Sequence, residues 1–122
     1  MAYINAPGIS RFSVEVVQTP EQLRKGLSDR PYLAPRNGML FIFSTVGVQS
    51  MWMPNMNFPL DIVWIDSNKT VMKIEENVKP CSGNHNCRSY SSDYPVKYAI
   101  ELNANDAKRI GLRVGLKLSF SM

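Results

Sequence analysis

Residues 60–75 have the sequence LDIVWIDSNKTVMKIE. Residues 60–65 are apolar at nearly every position and rich in β-branched side chains, which favours a buried strand. Residues 66–69 are turn formers, since Asp, Ser and Asn side chains hydrogen-bond to nearby backbone groups. Residues 70–75 then predict a second strand, so the whole stretch should form a β-hairpin.

Further strands are predicted on both sides of this hairpin. Residues 12–17 place Phe12, Val14 and Val16 at every second position, which is the period of a half-buried strand. Residues 39–43 (MLFIF) are apolar on both faces and should lie centrally in the core. The remaining predicted strands cover residues 49–53, 96–102 and 116–120.

Two short helices interrupt the strands. Thr19 is a good N-cap, Pro20 suits the first helical position, and Gln22 completes a capping box, so a helix should run from residue 20 to about residue 27 or 28. Asn103 can cap a second helix that begins at about residue 104, and Gly111 is placed to end it.

These elements predict a mostly β fold. Six or seven short strands with two short helices favour a β-sandwich or an open barrel over a doubly wound fold. The chain has 122 residues, which is enough for one core and too few for two. We therefore expect a single domain that covers residues 1–122.

The charge pattern argues against nucleic-acid binding. The formal net charge is +4, but the basic residues are scattered, and only Arg24-Lys25 and Lys108-Arg109 are adjacent pairs. Binding to phosphates requires clustered cations, whereas dispersed cations mainly serve solubility. Nucleic acid is therefore an unlikely partner.

Other function classes lack their sequence signals. Apolar runs are too short for a transmembrane helix, and residues 1–10 lack the basic start of a secretory signal, so we expect a soluble, cytoplasmic chain with no membrane partner. The glycines are dispersed, so no phosphate-binding loop is predicted and no cofactor is expected. The sequence does not indicate an oligomeric state.

Cys81, His85 and Cys87 lie together in a polar stretch, residues 77–95, that lacks periodicity. Two thiolates and an imidazole could bind zinc, although a closed structural site needs a fourth ligand. The alternatives are a Cys81–Cys87 disulfide and two free thiols, between which the redox compartment decides. We expect this long loop to be functional.

Trp52, Asn55 and Asp61 lie around a proline-bracketed turn between two predicted strands. An indole face can stack on a sugar ring while an amide and a carboxylate orient its hydroxyl groups. The alternative is that Trp52 packs in the core and Asn55 bonds to the turn backbone. Asp61 interrupts an apolar strand and would need a buried partner, for which Arg30 is our first choice.

Glu101 similarly interrupts the apolar run of residues 98–102, where it lies either on a solvent face or paired inside. If Glu101 met Asp61 across a cleft, the two carboxyl groups could act as general acid and base in a small hydrolase. A serine triad has no support, since His85 is the only histidine.

Four segments resemble, in order and spacing, the family of domain of unknown function 192. They are Thr19-Pro20-Glu21 with Gly26-Leu27 and Arg30; Gly38-Met39-Leu40-Phe41; Trp52-Met53 with Asn55, Pro59-Leu60-Asp61-Ile62 and Ile65-Asp66; and Pro80-Cys81 with Tyr98 and Glu101-Leu102-Asn103-Ala104. The resemblance implies a small β-sandwich with short helices and no established activity. Pro54 departs from the family pattern, in which a lysine is expected. Many relatives are exported behind a leader segment, whereas this sequence shows none, so the resemblance does not imply a compartment.

The sequence thus leaves two functions open. The first is a binding module for a small polar, saccharide-like ligand. Its candidate residues are Arg30, Trp52, Asn55, Asp61, Tyr90 and Glu101. The second is a small hydrolase that uses the Asp61 and Glu101 pair or a metal at Cys81, His85 and Cys87.

Overall fold

The computed structural model describes residues 1–52, 55–81 and 87–122. Its strands are β1 (Ala2–Asn5), β2 (Phe12–Val17), β3 (Asn37–Gly47), β4 (Ser50–Trp52), β5 (Leu60–Ile65), β6 (Val71–Val78), β7 (Ser89–Ser91), β8 (Val96–Asn103) and β9 (Ser119–Ser121). Its helices are α1 (Pro20–Lys25) and α2 (Asp106–Ile110). The predicted mostly β class with two short helices is confirmed.

Seven strands form one mixed sheet in the order β6-β5-β8-β3-β2-β1-β9. β2 and β3 are parallel, and the other neighbours in this sheet are antiparallel. β4 and β7 form a separate two-stranded antiparallel sheet. The predicted hairpin is confirmed as β5 and β6.

The large sheet curls, and its two edges approach each other at one end. The backbone N–H of Val71 donates to Leu116 O at 2.9 Å, and the N–H of Leu118 donates to Lys69 O at 2.8 Å. Among the described residues this contact does not extend into a full ladder between β6 and β9, so the sheet does not close into a barrel. The segment before β9 nevertheless ties the two edges together.

The two faces of the large sheet cover different cores. One core includes Val63, Ile65, Ile100 and Leu102 and packs against α2. The other includes Leu60, Ile62, Trp64, Met39, Phe41 and Ala99, and Leu27 just beyond α1 joins it. Every residue of β5 is buried because its alternate side chains enter the two cores, which explains why its sequence is apolar without alternation.

Helix α1 begins as predicted but ends earlier. The Thr19 hydroxyl accepts from the N–H of Gln22 and the Gln22 side chain bonds back to the Thr19 N–H, which completes the capping box. The helix ends at Lys25 because Gly26 takes a positive φ of 49° and its N–H donates to Gln22 O. Residue 27 or 28 was therefore the wrong end point.

Other elements also differ from the sequence prediction. Helix α2 begins at Asp106 rather than near residue 104, because Asn105 adopts a left-handed conformation. The stretch of residues 77–95 is not wholly loop, since it contains the end of β6 and all of β7. The last strand is β9 (Ser119–Ser121), later than predicted, and β1 was not predicted at all.

No helix in the described residues has the length and apolar character that a membrane crossing requires.

Candidate functional site

A pocket of about 280 Å³ lies on the face of the large sheet that carries Trp64. The end of α1 and the turn that follows form one side, and strands β3 and β4 form the other. Its lining consists of Leu23, Arg24, Lys25, Gly26, Leu27, Ser28, Phe41, Phe43, Ser50, Met51, Trp52, Met56 and Glu101. Most of these side chains are apolar, as is usual for a pocket that takes a small organic molecule.

Gly26 keeps the inner part of the pocket open. A Cβ atom at this position would lie 3.3 Å from Phe41 Cζ and 4.0 Å from Glu101 Oε1. The backbone also has a positive φ, which side-chain-bearing residues rarely adopt. A glycine therefore lets the chain turn sharply after α1 and pass close to both groups.

Glu101 is the polar group deepest in this pocket. Only 3% of the residue is exposed, and no described residue donates a hydrogen bond to its carboxyl group or forms a salt bridge with it. Burial raises the pKa of the Glu101 carboxyl to about 8. The carboxyl group is therefore mostly protonated near pH 7, and it can both donate and accept a hydrogen bond.

Aromatic side chains form a wall of the pocket. Phe41 is buried, and Phe43 stacks on Trp64 with ring centroids 6.4 Å apart. Trp52 is 57% exposed, so it lies at the mouth with much of its indole in solvent. The faces of these rings can contact an apolar or cationic ligand.

The charged residues at the rim of the pocket are positive, whereas an ionised Glu101 would be negative. Arg24 and Lys25, in the last turn of α1, are exposed and line the pocket. Uncharged polar groups come from Ser28, whose hydroxyl donates to Lys25 O at 2.7 Å, and from Ser50. The pocket thus has a buried acid inside and two cations at its edge.

Of the sequence-predicted ligand residues, the structure brings together Trp52 and Glu101. Asn55 is exposed with a positive φ of 57°, and its backbone oxygen accepts from the N–H of Asp29 at 2.9 Å. Tyr90 pairs with Met51 across β4 and β7, and its ring lies 4.7 Å from the Arg88 guanidinium. Neither Asn55 nor Tyr90 lines the pocket.

Asp61 is buried as predicted, but the prediction that Arg30 is its partner is wrong. The Asp61 carboxylate accepts from the backbone N–H of Asn77 at 2.9 Å and of Ala107 at 3.0 Å. Arg30 instead forms an ion pair with Glu15. The hydrogen bond from Arg30 lowers the pKa of the Glu15 carboxyl. Arg30 therefore lies outside the pocket that Glu101 lines.

The acidic pair proposed for a hydrolase is also wrong. In the pairing of β5 with β8, Ile62 lies opposite Glu101 and Asp61 lies opposite Leu102. Directly opposed residues share a face, so Asp61 and Glu101 point to opposite sides of the sheet. The two carboxyl groups consequently cannot act on one substrate.

Cys81 and Cys87 form a disulfide, with their Cα atoms 5.6 Å apart. Of the three alternatives that the sequence left open, the disulfide is therefore the one present, and it takes up both thiolates that a zinc site would require. His85, the third residue of that alternative, lies outside the described residues.

Sequence reasoning missed the pocket residues that come from α1 and β3. Phe41 was assigned to the core, where it also belongs, and the resemblance included Gly26 without a role. A glycine directly after a capped helix marks a sharp turn, but only the tertiary structure places Glu101 beside it.

The comparisons with known proteins agree on the fold. The model of DUF192, described as an uncharacterized ACR, matches residues 3–120. A structure from Sinorhizobium meliloti 1021, described as a proposed transcription regulator, has 35% identity and a TM-score of 0.86 and covers 98% of this chain and 91% of its own. A protein of unknown function from Novosphingobium aromaticivorans DSM 12444 has 27% identity and a TM-score of 0.85, and the match covers 97% of this chain and 82% of that protein's chain. No curated protein matches the chain.

Proposed function

Since this chain belongs to the family of domain of unknown function 192, whose model carries no activity, we propose a function from the pocket itself: the chain is a binding module for a small organic ligand. The ligand has an apolar body and a polar head group at its inner end. The apolar body contacts the aromatic wall, and the head group meets Glu101.

One observation carries this proposal. Glu101 is almost fully buried, has no partner among the described residues and opens into a pocket with aromatic walls. An unpaired buried carboxyl group costs free energy, and native proteins seldom keep one without a use. A ligand head group in the pocket could reach this carboxyl group and form hydrogen bonds with it.

The lining supports an apolar body over the saccharide-like ligand that the sequence suggested. A saccharide carries many hydroxyl groups, each of which needs a polar partner when it leaves water. Besides Glu101, the uncharged polar residues of the lining are Ser28 and Ser50. A largely hydrocarbon body with few polar groups fits this set better.

A screen of small organic fragments by NMR tests the proposal. Signals of the Met51 and Met56 methyl groups and of the Trp52 indole should shift on binding, because these groups line the pocket. The methyl group of Met122, which is exposed and lines no described pocket, should not shift and serves as the internal control. If no fragment at millimolar concentration shifts the pocket signals selectively, the proposed function is wrong.

Acid–base catalysis by Glu101 alone is a second candidate. The raised pKa of Glu101, near neutrality, is typical of residues that transfer protons in enzymes. Turnover of a bound fragment, lost in Glu101→Gln, would favour this candidate over binding alone.

The description of the Sinorhizobium meliloti protein raises DNA binding as a further possibility. The described helices do not favour recognition by a helix in the major groove, since α1 has six residues and α2 has five. A recognition helix must reach several base edges along the major groove, which such short helices do not do.

A further inference from the structure

We infer that the ligand of this pocket carries an ammonium group, which pairs with Glu101, and an anionic group at its other end, which meets Arg24 and Lys25, with an apolar spacer between them. This inference rests on the proposed binding function and specifies the chemistry of its ligand.

The inner end of the pocket is suited to an ammonium group. Glu101 offers two carboxyl oxygens without a described partner, and Oε1 lies beside Gly26, where no side chain blocks it. Phe41 and Phe43 also line the pocket, and the faces of aromatic rings attract cations. A carboxylate and aromatic faces together recognise an ammonium group better than a neutral or anionic one.

The outer end of the pocket is suited to an anion. Arg24 and Lys25 line the rim, and neither forms a salt bridge within the described residues. A simple amine would meet like charge at the rim, whereas a second, negative group on the ligand would pair with it. The charges of the pocket are therefore complementary to a zwitterion whose two charges are well separated.

The size of the pocket bounds the spacer. The volume of about 280 Å³ is roughly nine times the 30 Å³ that one water molecule occupies in the liquid. An ω-amino acid such as 6-aminohexanoate is small enough to enter this volume. Its methylene chain can pack against Leu27, Phe43 and Met51, which are apolar residues of the same lining.

Binding of an ammonium group must release a proton near pH 7. Burial raises the pKa of Glu101 to about 8, so roughly nine-tenths of the free protein is protonated there at pH 7. The ammonium group binds the carboxylate, so complex formation expels this proton. Arg24 and Lys25 are the other charged residues of the lining.

Isothermal titration with 6-aminohexanoate in buffers of different ionisation enthalpy tests the inference. We expect release of about 0.9 proton per ligand at pH 7. The Kd should fall nearly tenfold per pH unit up to pH 8, then level off until the amine itself loses its proton near pH 10. Hexanoate and hexylamine, which each lack one charge, should bind at least tenfold more weakly.

Two variants locate the charges. Glu101→Gln should lose the proton release and at least tenfold in affinity for 6-aminohexanoate, while Glu21→Gln, an exposed position of α1 outside the pocket, should change neither. The double variant Arg24→Gln/Lys25→Gln should bind hexylamine and 6-aminohexanoate equally well. A thermal melt of each variant confirms that it is folded.

The outcomes separate this inference from the proposed function. If fragments shift the pocket signals but 6-aminohexanoate binds no better than hexanoate, or binds without proton release, the inference is wrong and small-molecule binding stands. If neither these compounds nor the fragments shift the pocket signals, the binding function itself is wrong.

Discussion

Replacement of Glu101 by glutamine should stabilise the protein at neutral pH and remove a specific part of its pH dependence. The pKa of Glu101 is raised from 4.5 to about 8 in the folded state. The folded state therefore holds a proton that the unfolded chain releases between these values. The favourable contribution is complete below pH 4.5 and is lost as the pH rises through 8.

The magnitude follows from linkage. Each pH unit inside this window lowers the free energy of unfolding by about 1.36 kcal/mol. Between pH 5.5 and 7.5 the loss is about 2.5 kcal/mol, since the Glu101 carboxyl begins to ionise in the folded state near the upper end. Glutamine does not titrate and has nearly the shape of a protonated glutamate, so the variant should lack this loss.

Urea titrations of both proteins at pH 5.5 and 7.5 measure the effect. The gap in free energy of unfolding between Glu101→Gln and the unaltered chain should widen by about 2.5 kcal/mol from the lower to the higher pH. This difference cancels every other titrating group. Glu15, whose pKa is lowered by Arg30, is ionised in both states at these pH values and adds no slope. A gap that stays constant would refute the assignment of a raised pKa to Glu101.

Three further substitutions test other parts of the structure. Asp61→Asn should lower the free energy of unfolding by roughly 2 to 4 kcal/mol, because an amide cannot accept both backbone hydrogen bonds. Asp66→Asn should lower it by under about 1 kcal/mol, since asparagine suits a turn. Equal urea midpoints for the two variants would contradict this prediction. Trp64→Ala should lower the free energy of unfolding by roughly 3 to 5 kcal/mol, and Trp52→Ala should lower it by under about 1 kcal/mol, as urea denaturation would show. Trp52→Ala should instead lose ligand affinity, which a binding titration would measure. Gly26→Ala should lower the free energy of unfolding by roughly 1 to 3 kcal/mol, because the backbone there has a positive φ. It should also weaken ligand binding, because the new Cβ atom would push Phe41 into the pocket. Unchanged ligand affinity in a folded variant would count against that geometry.

The parts of the fold that follow from local pattern could be predicted from the sequence. The capping box at Thr19 and the continuous apolar run of β5 each have a local physical cause, a side-chain cap and burial on two faces. The short strand β1 could not be found in this way, because its stability comes from hydrogen bonds to β2 and β9 on both sides. Four residues carry too little pattern to reveal such partners.

The candidate site depended on information that the sequence does not contain. Asp61 and Glu101 each interrupt an apolar strand, and sequence reasoning paired them. The register of β5 against β8 decides which face each occupies, and one residue of register reverses the answer. The partners of Asp61 are backbone N–H groups of Asn77 and Ala107, which no side-chain pattern marks.

The contrast between these two buried acids supports a functional role for Glu101. Asp61 accepts hydrogen bonds from Asn77 in β6 and Ala107 in α2, so its side chain connects three elements and serves the fold. Glu101 makes no such bond within the described residues and lowers stability as it ionises. A side chain that weakens the fold while lining a pocket is what selection for binding, and not for stability, would maintain. A bound ammonium group would reverse this penalty, because it stabilises the ionised carboxylate that the empty pocket disfavours.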